Sequence, residues 1–212
     1  MDIDAPDSGT SRGTATATGD TPSRYVPEIV IDRLVSFDDD SESDKNMKQA
    51  QSETGVHKGE QYRHGGTSAD AFFQYEMAVD PSAPENYLGV RYFGRDNGRT
   101  FDVYLNDVLL KKEMITDTNG SDSWYVQWDR IPQEVIDGID AGDSYKRTDS
   151  GEWVLDADGN RIPIVTVRFQ SDGTSLVGGI FGLYTTTSPA DGSDAAPPLD
   201  SRGGSGAARP RQ

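Results

Sequence analysis

The stretch Arg91-Tyr92-Phe93-Gly94-Arg95-Asp96-Asn97-Gly98-Arg99 gathers arginine, aspartate and aromatic rings in one short run. Arginine forks and carboxylates bond vicinal hydroxyls bidentately. The flat faces of Tyr and Trp suit the C–H-rich faces of a sugar. The candidate binding residues for such a ligand are Tyr62, Arg63, Tyr92, Arg95, Asp96 and Trp124. Phe93 and Trp128, near strand ends, stay open between core and ligand. The competing reading of the run is a polar turn, with Asn97-Gly98 at positive φ and Arg99 paired to a surface acid.

Other chemistries are weaker. His57 and His64, seven residues apart in a glycine-rich loop with Glu60 between them, offer two metal ligands and lack a third on a rigid element. The acidic run Asp38-Asp39-Asp40-Ser41-Glu42-Ser43-Asp44 carries hard oxygen ligands suited to a structural calcium, or is simply solvated. Asp156-Ala157-Asp158-Gly159-Asn160 opens like a calcium loop but lacks the later ligands, and reads as a hairpin turn. Glycoside hydrolysis needs two carboxylates facing each other across a cleft, and 36 acids make chance pairs too easy to mean anything. Neither a serine elbow, a His-Glu-x-x-His pair nor a phosphate-cradling loop is present. No catalytic residue is therefore assigned.

The elements that must position these residues are strands. Apolar residues recur with period two. Residues 29–37 form a first strand candidate. Phe73, Tyr75, Met77 and Val79 share a face, and Leu88, Val90 and Tyr92 alternate against Tyr87, Arg91 and Phe93. Residues 100–105 and 108–115 flank Asn106-Asp107, a hairpin signal. Trp124, Val126 and Trp128 share a face, as do Val165, Val167 and Phe169. Gly178, Gly179 and Gly182 announce a bulge or a close backbone approach. Phe73, Tyr75, Phe101 and Phe169 are expected in the core, with Trp153 capping an edge. Residues 132–139 read as the one short helix, with Pro132 near its first turn. Seven or eight short strands predict an all-β fold, an antiparallel β-sandwich of jelly-roll or galactose-binding-like type.

Composition sets the limits. A net charge of −16 opposes the basic patch that phosphate neutralisation requires, so neither nucleic acid nor an anionic membrane surface is an expected partner. The chain has no cysteine, which excludes disulfides, thiolate metal sites and thiol nucleophiles. No apolar run is long enough to span a bilayer, and residues 1–13 lack the basic and apolar regions of a secretory leader. Only 33% of residues are hydrophobic, and the deficit concentrates at the ends. Residues 1–27 and the Pro/Gly/Ser-rich residues 188–212 are expected to be disordered, leaving one domain at residues 28–187. The compartment stays open: extracellular or cell-surface for a segment of a longer secreted protein, cytoplasmic otherwise.

Several phrases taken in order, VSFDDDSESDKN, QSETGVHKGEQYRHG, AFFQYEMAVDP, NYLGVRYFGRDNGRTFDVYLND, IPQEV and VTVRFQSDGTSLVGGIFGLYT, resemble one known domain. It is the β-sandwich that follows the catalytic barrel in bacterial β-L-arabinofuranosidases, the glycoside hydrolases of families 127 and 146. Arg99-Thr100-Phe101-Asp102-Val103 and Gly178-Gly179-Ile180-Phe181-Gly182 carry most of the resemblance. There are departures. Lys45 stands where that group often has His, Tyr62-Arg63 stands where it tends to have Trp-Arg, and residues 141–161 are an insertion. The resemblance implies a non-catalytic substrate-binding module, accessory to a catalytic glycoside hydrolase domain and binding a plant-type, arabinose-containing glycan. No cofactor is expected. The alternative is a structural or interaction sandwich that buttresses a neighbouring domain without sugar affinity.

Overall fold

A computed structural model describes residues 30–116 and 122–189; the expected terminal disordered segments fall almost wholly outside them. Among the described residues twelve strands form three antiparallel sheets, accompanied by two short helices. The first sheet has the order β1 (Asp32–Leu34), β12 (Gly182–Thr186), β6 (Tyr87–Phe93), β9 (Trp124–Arg130). The second runs β2 (Lys48–Ala50), β5 (Phe72–Ala78), β10 (Ile164–Ser171), β7 (Arg99–Leu105), β8 (Val108–Ile115). The third comprises β11 (Val177–Ile180), β4 (Glu60–Gly65) and β3 (Ser52–His57). The fold is the expected antiparallel β-sandwich.

The period-two pattern builds the core. Phe73, Tyr75 and Met77 from β5 join Phe101, Val103 and Leu105 from β7 and Val167 and Phe169 from β10 on one inner face. Leu88, Val90 and Tyr92 from β6 and Leu183 from β12 supply the other, all almost fully buried. Each large side chain taken from water contributes about 1.5–3 kcal/mol, so alternation alone fixes which face of each strand turns inward. The Asn106-Asp107 turn between β7 and β8 takes φ of +47° and +65°, as a two-residue hairpin of right-handed twist requires. Asn106 Oδ1 also accepts the Thr166 N–H at 2.8 Å, tying the turn to β10. Lys111 on β8 pairs with Glu113 at 2.6 Å and with Asp129 on β9 at 2.5 Å, closing one side of the sandwich.

Two features depart from the sequence reading. Residues 52–65 form a hairpin rather than a loop, turning at Lys58 and Gly59 with φ of +52° and +83°. Residues 39–43 form α1 (Asp39–Ser43), in addition to α2 (Gln133–Asp137). The insertion folds back as a hairpin whose bridges pair Tyr145 with Pro163, Arg147 with Trp153 and Leu155 with Arg161. Asp156–Asn160 is its turn, as expected, with Gly159 at φ +84°. Trp153 is clamped there by the Arg147 and Arg161 guanidiniums, 3.3 and 4.2 Å from its ring centroid. Among the described residues no helix is long and apolar enough to cross a membrane.

Candidate functional site

The β3–β4 hairpin lies across one end of the first sheet, and its rings meet the rings at that end. Gly55 makes this approach feasible: a side chain there would begin 2.5 Å from the Tyr62 ring, its cross-strand partner. Tyr62 sits 5.3 Å from Phe181, between centroids, and His57 sits 4.5 Å from Phe93. Trp124 lies behind, 5.6 Å from Phe93 and 5.8 Å from Phe181. Arg91 stacks on Trp124 at 5.1 Å and pairs with Glu60 of the hairpin tip.

Between hairpin and sheet end is a cleft of about 240 Å³, lined by His57, Tyr62, Phe93, Arg95, Asp96, Arg99, Gly179 and Phe181. Its polar wall is the β6–β7 connection. Arg99 Nε donates to Asp96 Oδ1 at 2.9 Å, and the Asn97 N–H donates to the same oxygen at 3.1 Å. Arg99 Nη1 and His57 Nε2 are buried without a hydrogen-bond partner. An unmet buried polar atom is costly, so these two atoms mark where a polar group of a ligand would be welcome, an acceptor in the case of Arg99. Arg95 is exposed at the rim, 4.0 Å from Asp122. Lys58 sits over the Phe93 ring, and its bond to Asp122 holds that carboxyl below its ordinary value.

Gly179 shapes the cleft. The strand shifts register between Gly178 and Ile180, and both glycines take positive φ, +73° and +88°. A side chain on Gly179 would begin 2.6 Å from Asp96 Oδ2 and 3.2 Å from the Arg99 guanidinium carbon. The bulge foreseen at these glycines is therefore the wall against which the ion pair rests.

The structure brings Tyr62, Arg95 and Asp96 together in one cleft, with Trp124 as the ring behind it. Arg63 and Tyr92 do not join them, and strand alternation is the reason. Arg63 points opposite to Tyr62, into the protein, where Nε and Nη2 each donate to Glu42 of α1 at 2.5 Å. The Tyr75 hydroxyl donates to the same carboxylate at 2.6 Å. Burial, then the Glu42 bond, pushes the Tyr75 phenol well above its ordinary value. Tyr92 points between the sheets, fully buried, with its hydroxyl 3.4 Å from Glu113. Burial raises its pKa, while the neighbouring Tyr125 is pushed up to about 12, chiefly by burial.

The acidic run does not form a calcium loop. Asp38 caps α1, accepting the Ser41 N–H at 2.8 Å and the Ser36 hydroxyl at 2.6 Å, and Glu42 is committed to Arg63. Among the described residues no three His, Asp or Glu side chains converge as a metal site, and His64 instead faces Glu53 at 3.2 Å.

This geometry defines a β-sandwich domain with a ring-lined cleft at one end. The chain belongs to the family of unknown function DUF6805, whose model matches residues 26–141. None of the curated proteins matches it in sequence. Among solved structures it is similar to the CBM35 from Paenibacillus barcinonensis, at 14% identity and a TM-score of 0.42, over 68% of this chain and 95% of that one. It is similar also to a family 35 carbohydrate binding module from Clostridium thermocellum, at 12% identity and a TM-score of 0.41, over 66% and 90%. A third is the Podospora anserina GH26-CBM35 β-(1,4)-mannanase, at 11% identity and a TM-score of 0.37, over 74% of this chain and 28% of that one.

Proposed function

We propose that this domain is a non-catalytic glycan-binding module, holding an arabinose-containing sugar in the cleft between the β3–β4 hairpin and the β6–β7 connection. One observation carries the reading: aromatic faces and a fixed Arg–Asp pair converge on a single concavity lined by residues with unsatisfied polar atoms. Rings supply apolar faces, while Asp96, Arg99 and Arg95 supply hydroxyl partners. The cleft offers one carboxylate, Asp96, already bound to Arg99, whereas hydrolysis would need two free to act across the bond. Arabinose as the sugar, and a place beside a β-L-arabinofuranosidase-type catalytic domain, rest on the sequence resemblance.

The test is calorimetric titration with L-arabinose, β-arabino-oligosaccharides, arabinan and arabinogalactan. Saturable heat is expected with at least one of them, and Tyr62→Ala should weaken it about tenfold or more, in keeping with the ~1.5–3 kcal/mol of burying one ring. Silence across the panel from folded protein would sink the reading.

A second reading has its own observation. Val108, Leu109 and Met114 are exposed on β8, Met114 to 64%, and β8 is an edge strand. Exposed apolar residues on an unpaired edge suit contact with a neighbouring domain, the buttress function.

A further inference from the structure

The first sheet carries aromatic residues on its outward face as well as at its end. Cross-strand register sets Tyr184, Gly89 and Trp128 in one row across β12, β6 and β9. Gly89 is the reason the row works. Any side chain there would collide with the Trp128 benzo ring, which occupies that space instead. This repeats the arrangement of Tyr62 on Gly55 in the cleft: a ring laid over a glycine in an adjacent strand. Tyr184, itself buried at 5% exposure, stands 6.3 Å from Trp128, between centroids, and backs that ring. The Trp128 ring is half-buried, and its Nε1 has no hydrogen-bond partner.

Trp124 and Trp128 lie four residues apart on one face of β9, a separation of about 13 Å at the rise of an extended strand. That exceeds the reach of one sugar ring. Between them, in the adjacent strand, stands Arg91, opposite Val126 and paired with Glu60, with each charged group about a quarter exposed. The order along the sheet is therefore cleft, Trp124, a donor–acceptor pair, then Trp128.

We infer that Trp128, backed by the buried Tyr184, is a second glycan subsite, so that the ligand is an extended oligosaccharide lying along β9 rather than a single terminal sugar. This rests on the cleft being a glycan site. The Arg91–Glu60 pair meets the hydroxyls of the intervening units, and the two glycine-seated rings grip its ends. Trp128 then determines the length of ligand recognised, while Tyr62 contributes to binding at every length.

The experiment titrates the intact chain with linear arabino-oligosaccharides of two to six units. Wild-type affinity should rise by about tenfold between the short and the long members. Trp128→Ala should flatten that rise and leave binding of the disaccharide unchanged, whereas Tyr62→Ala should weaken every member. Trp128→Leu, which still fills the hollow over Gly89, should behave as Trp128→Ala does, with melting curves showing both variants folded. Affinity independent of length, or a Trp128 variant that weakens short and long ligands alike, overturns the second subsite and leaves the cleft standing. Failure of the wild type to bind any member overturns both.

Discussion

Replacing Glu42 with Gln isolates the buried pair that anchors α1. Glu42 is 3% exposed and Arg63 6%, and the carboxylate accepts two bonds from the guanidinium and one from Tyr75. The amide keeps the shape but removes the charge, leaving Arg63 buried without a counter-ion, and one of its two N–H groups now faces a donor. Removing one partner of such a pair costs about 3–5 kcal/mol. For a domain of this size that lowers Tm by roughly 6–20 °C. Urea unfolding, with an unchanged slope, should report the loss directly. Tyr75→Phe removes one bond to the same carboxylate without orphaning a charge, and should cost about 1.5–3 kcal/mol. Arg63→Met combined with Glu42→Gln should recover a large part of the single-variant loss, because no buried charge then remains. A Glu42→Gln loss below about 1 kcal/mol would refute the reasoning and return Arg63 to the set of residues available to a ligand.

Two further predictions concern the cleft and its flank. Gly179→Ala should cost about 1–2 kcal/mol from positive φ alone, and should abolish glycan binding by displacing Asp96; unchanged binding heat would show that the ion pair does not shape the site. His64 lies below its ordinary value of 6.5, because burial and the Arg99 charge outweigh the exposed Glu53. The unfolded chain then binds the proton more readily, so the stability at stake is full above about 6.5 and is lost as pH falls below it. His64→Gln should flatten that acid limb in denaturation midpoints measured from pH 7 to pH 5.

Much of the architecture was legible because the inner faces follow a strict period of two. That period also placed Tyr92 with Leu88 and Val90, on the core side; its nearness to a strand end was the weaker signal. Arg63 yields to the same logic once β4 is recognised as a strand. That recognition failed because the β3–β4 hairpin carries polar residues on both faces, leaving no apolar alternation to find. The Lys58-Gly59 pair at its tip was the available cue. α1 was hidden by composition, since a run of acids reads as solvated loop until one of them, Glu42, proves buried. The cleft needed residues from β3, β4, β6, β7 and β11 brought to one place. Asp96 and Arg95 could be guessed from type, but Phe181 and Gly179 carried only the signal of a bulge.

The pairing of β1 with β12 joins residue 32 to residue 185, and β12 also separates β1 from β6. The first sheet thus lacks an interior strand until almost the whole domain has been made. At synthesis rates of about 5–20 residues per second, β6 and β9 wait for several seconds with one edge unpaired. Few of the contacts are local, so closure proceeds late and slowly. Gly182–Thr186, the last described strand in the chain, is therefore the one that completes the sheet, by slotting between its two neighbours.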